Sequence, residues 1–178
     1  MNEILVKDKK FTLSIRECDI LKEVDRVATQ ISQDLEGKNP LFISVLNGSF
    51  MFTADLMKRV NIPAEISFVK LSSYQGDQST GKVKQMIGLN QDIAGRTVVI
   101  VEDIIDTGVT MKRMLEILAD KGAADIRIAS LLVKPDKLTV DLHIDYVAMS
   151  IPNDFIVGYG LDYDGYGRNL PDIYTVVE

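Results

Sequence analysis

The residues Val98-Val99-Ile100-Val101-Glu102-Asp103-Ile104-Ile105-Asp106-Thr107-Gly108-Val109-Thr110 decide how this chain folds. Four branched apolar residues in a row predict a strand buried on both faces, as in parallel sheets. Two carboxylates follow at its C-terminal end. Asp106-Thr107-Gly108 reads as a tight turn, and Met111, Met114, Leu115 and Leu118 then recur at helical spacing. The stretch is therefore strand, acidic elbow, small-residue turn and helix. Open α/β sheets bind ligands beyond the carboxyl ends of their strands, and the free N–H groups of a helix N-terminus attract phosphate. The acidic pair would repel a bare phosphate. It is read instead as holding hydroxyls, or a divalent cation that the ligand brings.

Working outward, a second strand-loop-helix unit precedes it: a strand over 41–46, the turn Asn47-Gly48-Ser49, and a helix over 50–60. Upstream, Ser14 and Glu17 stand at capping-box spacing. Ile20, Leu21, Val24, Val27, Ala28, Ile31 and Leu35 follow as one helical stripe, with Gly37 as the expected C-cap. Residues 1–13 read as irregular or as one short strand. Residues 64–71 form a third strand. Residues 72–84 then change character to small and polar with a single aromatic, the composition of a mobile loop, and a loop of this length in a compact domain is usually functional. Strands are expected over 85–89, 97–101 and 126–133, the last two separated by the helix that ends near Lys121-Gly122. Strands alternating with helices predict a mainly parallel sheet. Shorter β candidates at 146–150, 155–159 and 173–177 have no helices between them and predict a small C-terminal subregion covering the sheet.

The 178 residues predict one domain spanning 1–178. Their 46% hydrophobic and 26% charged composition is that of an ordinary globular protein, and no apolar run nears the length of a membrane span. The N-terminus has no basic segment followed by an apolar core, so no signal peptide is expected. Cys18 is the sole cysteine, which fits an intracellular, cytoplasmic location. The formal charge of −6 argues against generic nucleic-acid binding. It also means that a polyanionic ligand must be held by backbone amides, a few local cations and metal ions.

The Val98–Thr110 string resembles, at every position, the phosphoribosyl-pyrophosphate motif of the type I phosphoribosyltransferases. Lys134 before Pro135-Asp136 and the segment Phe155-Ile156-Val157-Gly158-Tyr159-Gly160-Leu161-Asp162-Tyr163 narrow the resemblance to the hypoxanthine-guanine members. The likeness runs from about residue 41 to 168. It implies a type I fold: a mainly parallel central sheet flanked by helices, with a hood built from the N-terminal segment and roughly 150–178. It implies Mg²⁺-dependent transfer of phosphoribosyl from its pyrophosphate donor to a 6-oxopurine, and a homodimer or homotetramer.

The resemblance also implies roles for individual residues. Asp106 would manage the proton at the purine's N7. Glu102 and Asp103 would hold the ribose hydroxyls, directly or through Mg²⁺, with Thr107, Gly108 and Thr110 on the 5-phosphate. Backbone amides of Asn47, Gly48 and Ser49 would face pyrophosphate, although the family often has a basic residue where this chain has Asn47, and the Leu46–Asn47 peptide can be cis in the family. Ser73 and Tyr74 belong to the flexible catalytic loop, and Arg168 lies near pyrophosphate. Lys134 would donate to the 6-oxo group, Phe155 would stack on the base, Ile156 would offer backbone groups to its edge, and Asp162 would ligate Mg²⁺. His143, the only histidine, is read as structural. Two other readings stand beside it: a nucleotide-sensing regulator on the same fold, which a basic face would support, and an enzyme acting on a pyrimidine or other base, against which Lys134 and Phe155 argue.

Overall fold

The computed structural model describes residues 2–74 and 83–177. The chain runs β1 (Glu3–Val6), β2 (Lys9–Ile15), α1 (Glu17–Asp34), β3 (Leu41–Val45), α2 (Phe50–Met57), β4 (Glu65–Tyr74), β5 (Val83–Ile87), β6 (Thr97–Ile105), α3 (Val109–Asp120), β7 (Asp125–Val133), β8 (Tyr146–Ser150), β9 (Ile156–Val157) and β10 (Ile173–Val176). A six-stranded sheet has the order β5-β4-β3-β6-β7-β8, and only the β4–β5 edge pair is antiparallel. A separate antiparallel sheet has the order β1-β2-β10-β9.

The central strands are apolar on both sides because helices cover both. Phe42, Val99, Val101 and Ala129 pack with Ile20, Val24, Val27, Ala28 and Ile31 of α1 and with Phe52 and Leu56 of α2. Leu41, Ile43, Val98, Ile100 and Ile128 pack on the opposite face with Met111, Met114 and Leu118 of α3. Full burial of each of the Val, Leu, Ile, Phe and Met side chains among them contributes roughly 1.5–3 kcal/mol. The smaller sheet closes over Phe11, Val157 and Tyr174.

Five local expectations are corrected. The capping box does not form: Ser14 lies within β2 and donates from Oγ to the Ile173 carbonyl at 3.0 Å. A residue distant in sequence acts in its place, since the Glu17 N–H donates to Asp172 Oδ1 at 2.7 Å. The N-terminal segment is a two-stranded hairpin, because its register places Phe11 in the smaller core. The helix after Asn47-Gly48-Ser49 ends at Met57 rather than Val60. Backbone pairing carries the expected 72–84 loop inward at both ends, matching Ser73 with Lys84 and Tyr74 with Val83; 75–82 lie outside the described residues. Finally, Tyr146–Ser150 joins the central sheet, parallel to β7, with no helix in the connection beyond a 3-10 turn at Pro135–Lys137.

The acidic pair also sits differently from expectation. β6 continues through Glu102 and Asp103 to Ile105. Its alternation changes phase there: Val99 and Val101 face α1 and α2, but so does Ile104, while Ile105 faces α3. The carboxylates themselves bond the local backbone. Asp103 N–H donates to Glu102 Oε1 at 3.0 Å, and Ile104 N–H donates to Asp103 Oδ1 at 2.7 Å. Side chains that take up backbone donors in this way compete with a regular ladder.

Candidate active site

The site lies at the carboxyl ends of β3, β6 and β7. Glu102, Asp103, Ile104, Ile105, Asp106, Thr107, Gly108, Thr110 and Met111 line a cavity of about 190 Å³. Its floor is the turn from β6 into α3. Gly108 is the helix N-cap and has φ +81°, the left-handed region that a residue with Cβ enters at a cost. The Thr107 hydroxyl lies 3.4 Å from the Val109 N–H as acceptor, so the turn is partly held from within.

Lys134 follows the last residue of β7, the strand beside β6. It is 7% exposed, and its Nζ lies 3.5 Å from Asp106 Oδ1. The Lys134 N–H is tied to the Ile105 carbonyl at 3.0 Å, which fixes the two residues side by side. Asp106 as a whole is half-exposed, yet its Oδ1 atom is buried and accepts no hydrogen bond. A buried carboxylate oxygen without a donor is costly and normally avoided. Here it stands beside the Lys134 ammonium, in a residue that lines the cavity, an arrangement suited to accept a proton from a ligand that also accepts a hydrogen bond from Lys134.

The second loop packs against the acidic strand. The Leu46–Asn47 peptide is cis. A Cβ added to Gly48 would fall 1.7 Å from Asp103 Oδ2 and 3.5 Å from an Arg168 guanidinium nitrogen, so a larger residue fits only if the Asp103 carboxylate moves. Ser49, though the N-cap of α2, does not cap that helix: its hydroxyl donates back to the Val45 carbonyl at 2.5 Å and meets Ser44 Oγ at 2.7 Å. Ser44 in turn meets Thr53 Oγ1 at 2.7 Å. These three buried hydroxyls hold the loop from below.

A third segment closes the site. Arg168 pairs with Asp162 at 2.8 Å and donates to the Gly160 carbonyl at 2.7 Å. Gly160 approaches so closely that a Cβ on it would lie 2.2 Å from the Gly48 carbonyl oxygen. Asp162 Oδ2 accepts from the Gly165 N–H at 2.8 Å.

Thus Asp103, Gly48 and Arg168 come together, as do Asp106 and Lys134. Phe155 and Ile156 do not line this cavity. Phe155 is half-exposed in an aromatic group with Phe11 and Tyr163, ring centroids 6.1 and 5.8 Å away. Ile156 is buried in β9 and lines a second cavity, of about 280 Å³, with Ile15, Ile151 and Ile173 among its walls. Ser73 and Tyr74 end β4. Sequence reasoning missed Gly160 and the Ser44, Ser49 and Thr53 hydroxyls. The glycines on both sides of Tyr159 were the available sign of a close approach; nothing in the sequence marks the hydroxyl group.

Residues 16–164 match the family model for the phosphoribosyl transferase domain. A hypoxanthine-guanine phosphoribosyltransferase of Streptococcus pyogenes is 44% identical over 163 residues, covering 91% of each chain. The chain belongs to the hypoxanthine-guanine phosphoribosyltransferases. Within this phosphoribosyltransferase family, the Streptococcus pneumoniae member is 41% identical, covering 90% of this chain and 89% of its own. A solved hypoxanthine phosphoribosyltransferase of Staphylococcus aureus superposes with a TM-score of 0.86 at 37% identity, covering 93% of this chain and 90% of that one. The type I phosphoribosyltransferase fold is therefore that of this chain, with its mostly parallel central sheet between helices.

Among the described residues, no three His, Cys, Asp or Glu side chains converge closely enough to hold a metal alone. Asp103 Oδ2 does face the space beside Gly48 and Arg168. Mg²⁺ is ordinarily held by one or two carboxylates together with phosphate oxygens and water. The hard oxygens of this phosphoribosyltransferase fit a Mg²⁺ that arrives with its ligand.

Proposed function

We propose that this chain moves the 5-phosphoribosyl group of phosphoribosyl pyrophosphate onto hypoxanthine, guanine or both, releasing pyrophosphate and giving IMP or GMP, a step of purine salvage. The Lys134–Asp106 pair carries this reading. A 6-oxopurine presents its 6-oxo oxygen beside N7, and the pair presents a buried donor beside a buried, unbonded acceptor. In the reaction N9 attacks the anomeric carbon, the bond to pyrophosphate breaks with its electron pair, and the N7 proton passes to Asp106 Oδ1. The enzyme supplies positioning and proton management, with no covalent intermediate.

Thr107, Gly108 and Thr110 hold the 5-phosphate at the α3 N-terminus, and Glu102 and Asp103 hold the ribose hydroxyls. Backbone groups of Asn47 and Gly48, with Ser73, Tyr74 and Arg168, take the pyrophosphate. Phe155 and Ile156 complete the base site from the smaller sheet, which acts as a hood of a single domain spanning 1–178. Mg²⁺ brought by the donor would meet Glu102 and Asp103 at the ribose hydroxyls and Asp162 at the pyrophosphate, where it would neutralise charge on the leaving group.

The reading extends to a homodimer or homotetramer in the cytoplasm. Ile66, Phe68 and Ile87 support association, being exposed apolar residues on one face of the β4–β5 edge. Cys18, exposed and without a disulfide, supports the location. No helix among the described residues is long and apolar enough to cross a membrane. The decisive experiment is a donor-dependent assay with hypoxanthine, guanine, xanthine, adenine and uracil. Turnover of hypoxanthine or guanine is expected. Activity confined to adenine or uracil, or none at all, overturns the reading.

A further inference from the structure

Tyr159 stands apart from the residues that face the cavity. It is 1% exposed and has φ +47°, in the left-handed region, between Gly158 and Gly160. A bulky residue keeps that conformation only where its surroundings hold it there. It is held at both ends: its N–H donates to the Leu170 carbonyl at 2.8 Å, and its hydroxyl donates to Asp55 Oδ2 at 2.5 Å. Asp55 lies on α2, one and a half turns beyond the Asn47-Gly48-Ser49 loop. Its other oxygen is paired with Lys58 at 2.8 Å and stands 3.7 Å from Arg59. Burial and the Asp55 carboxylate both push the Tyr159 phenol upward, so it remains a donor throughout the working range.

The hydroxyl bond therefore joins the element that carries one side of the site to the element that carries the other. The residue after Tyr159 is Gly160, which presses on the Gly48 carbonyl and is bonded to Arg168 through both its N–H, at 3.0 Å, and its carbonyl, at 2.7 Å. We infer that Tyr159 and Asp55 are positioning residues for the pyrophosphate end of the donor site. They set the distance between the Asn47-Gly48 loop and Arg168 while touching no substrate themselves. This rests on the proposed transferase reading for the identity of the ligand.

The test is calorimetric binding of pyrophosphate with Mg²⁺, with kinetics on hypoxanthine alongside. Tyr159→Phe keeps the buried ring and removes only the hydroxyl, so the fold is retained. It should weaken pyrophosphate binding and raise the KM for the donor by roughly tenfold, the scale of one charge-assisted hydrogen bond, while leaving the KM for hypoxanthine within about twofold. Asp55→Ala should do the same, and the double variant should be no worse than either single one. Asp55→Asn keeps an acceptor and should restore most of the affinity. A lower melting temperature with unchanged pyrophosphate affinity, or equal loss for donor and base, overturns the inference. So does wild-type protein that fails to bind pyrophosphate. Wild-type protein that binds pyrophosphate but transfers nothing to any base sinks the transferase reading alone.

Discussion

Gly48→Ala places a methyl group where the structure has room for none. The added Cβ would lie 1.7 Å from Asp103 Oδ2, and ordinary contact begins at 3.4 Å, so the carboxylate must retreat by about 1.7 Å. Asp103 cannot do this while its Oδ1 still accepts the Ile104 N–H at 2.7 Å. The substitution therefore breaks the Asp103–Ile104 hydrogen bond and turns the carboxylate away from the donor site; the lost charge-assisted interaction with the donor is worth roughly 1.5–3 kcal/mol, or about 10- to 150-fold in affinity. Gly48 does not have a positive φ, so alanine adds no backbone strain and should leave the fold unharmed. Replacing a glycine whose conformation alanine can share often stabilises, by roughly 0.4–1 kcal/mol. The signature is a folded variant whose melting temperature falls no further than the loss of one hydrogen bond explains, with a KM for phosphoribosyl pyrophosphate raised by about one to two orders of magnitude. The increase of absorbance on conversion of guanine or hypoxanthine to its nucleotide, followed across donor concentrations, measures it. A variant with native donor KM would show that the contact between the loop and Asp103 has no bearing on the donor, and the assembly described above would lose its functional meaning.

Asp106→Asn removes the proton acceptor and keeps the shape, so kcat should fall roughly 10²–10⁴-fold with donor binding little changed; unaltered kcat on hypoxanthine would exclude Asp106 from the chemistry. Lys134→Ala should raise the KM for 6-oxopurines by about 10- to 150-fold while the KM for the donor barely moves, and equal loss for both substrates would place Lys134 in another role. Burial, opposed by Arg127 and aided by Asp34, pushes the Tyr146 phenol up to about 12. In the unfolded chain it titrates near 10, so its stabilising contribution is complete below about pH 10 and is lost between about pH 10 and 12. Chemical-denaturation midpoints should accordingly fall more steeply over that window in the native protein than in Tyr146→Phe; parallel slopes would refute the assignment.

Much of the site was legible because its signals are local. Strand, turn and helix around Glu102 to Thr110 are written in adjacent residues, through branched apolar runs, a glycine at a left-handed position and helical periodicity. The two-sided burial of β6 follows from Val98-Val99-Ile100-Val101 alone. Resemblance added what local chemistry does not contain, the expectation that Lys134, Asp162 and Arg168 serve one site; the structure sets Lys134 beside Asp106 and Arg168 beside Asp162 and Gly48.

Other features exist only once the chain is folded. The cap on α1 comes from Asp172, so the local Ser14–Glu17 pattern misled; Ser14 was needed in β2, and tertiary pairing outweighed the capping preference. β8 joined the central sheet because β7 offered a free edge, which no periodicity within 146–150 can reveal. The close fit at Gly48 is to a carboxylate on another strand, and the requirement for glycine at 160 comes from the carbonyl of Gly48 itself. The amino-acid sequence alone determined which residues could accept a proton, donate to an oxo group or admit a close backbone. Tertiary structure decided which of them meet, because distances of 2 to 4 Å between residues a hundred positions apart depend on packing, and packing sums contacts from every layer of the fold.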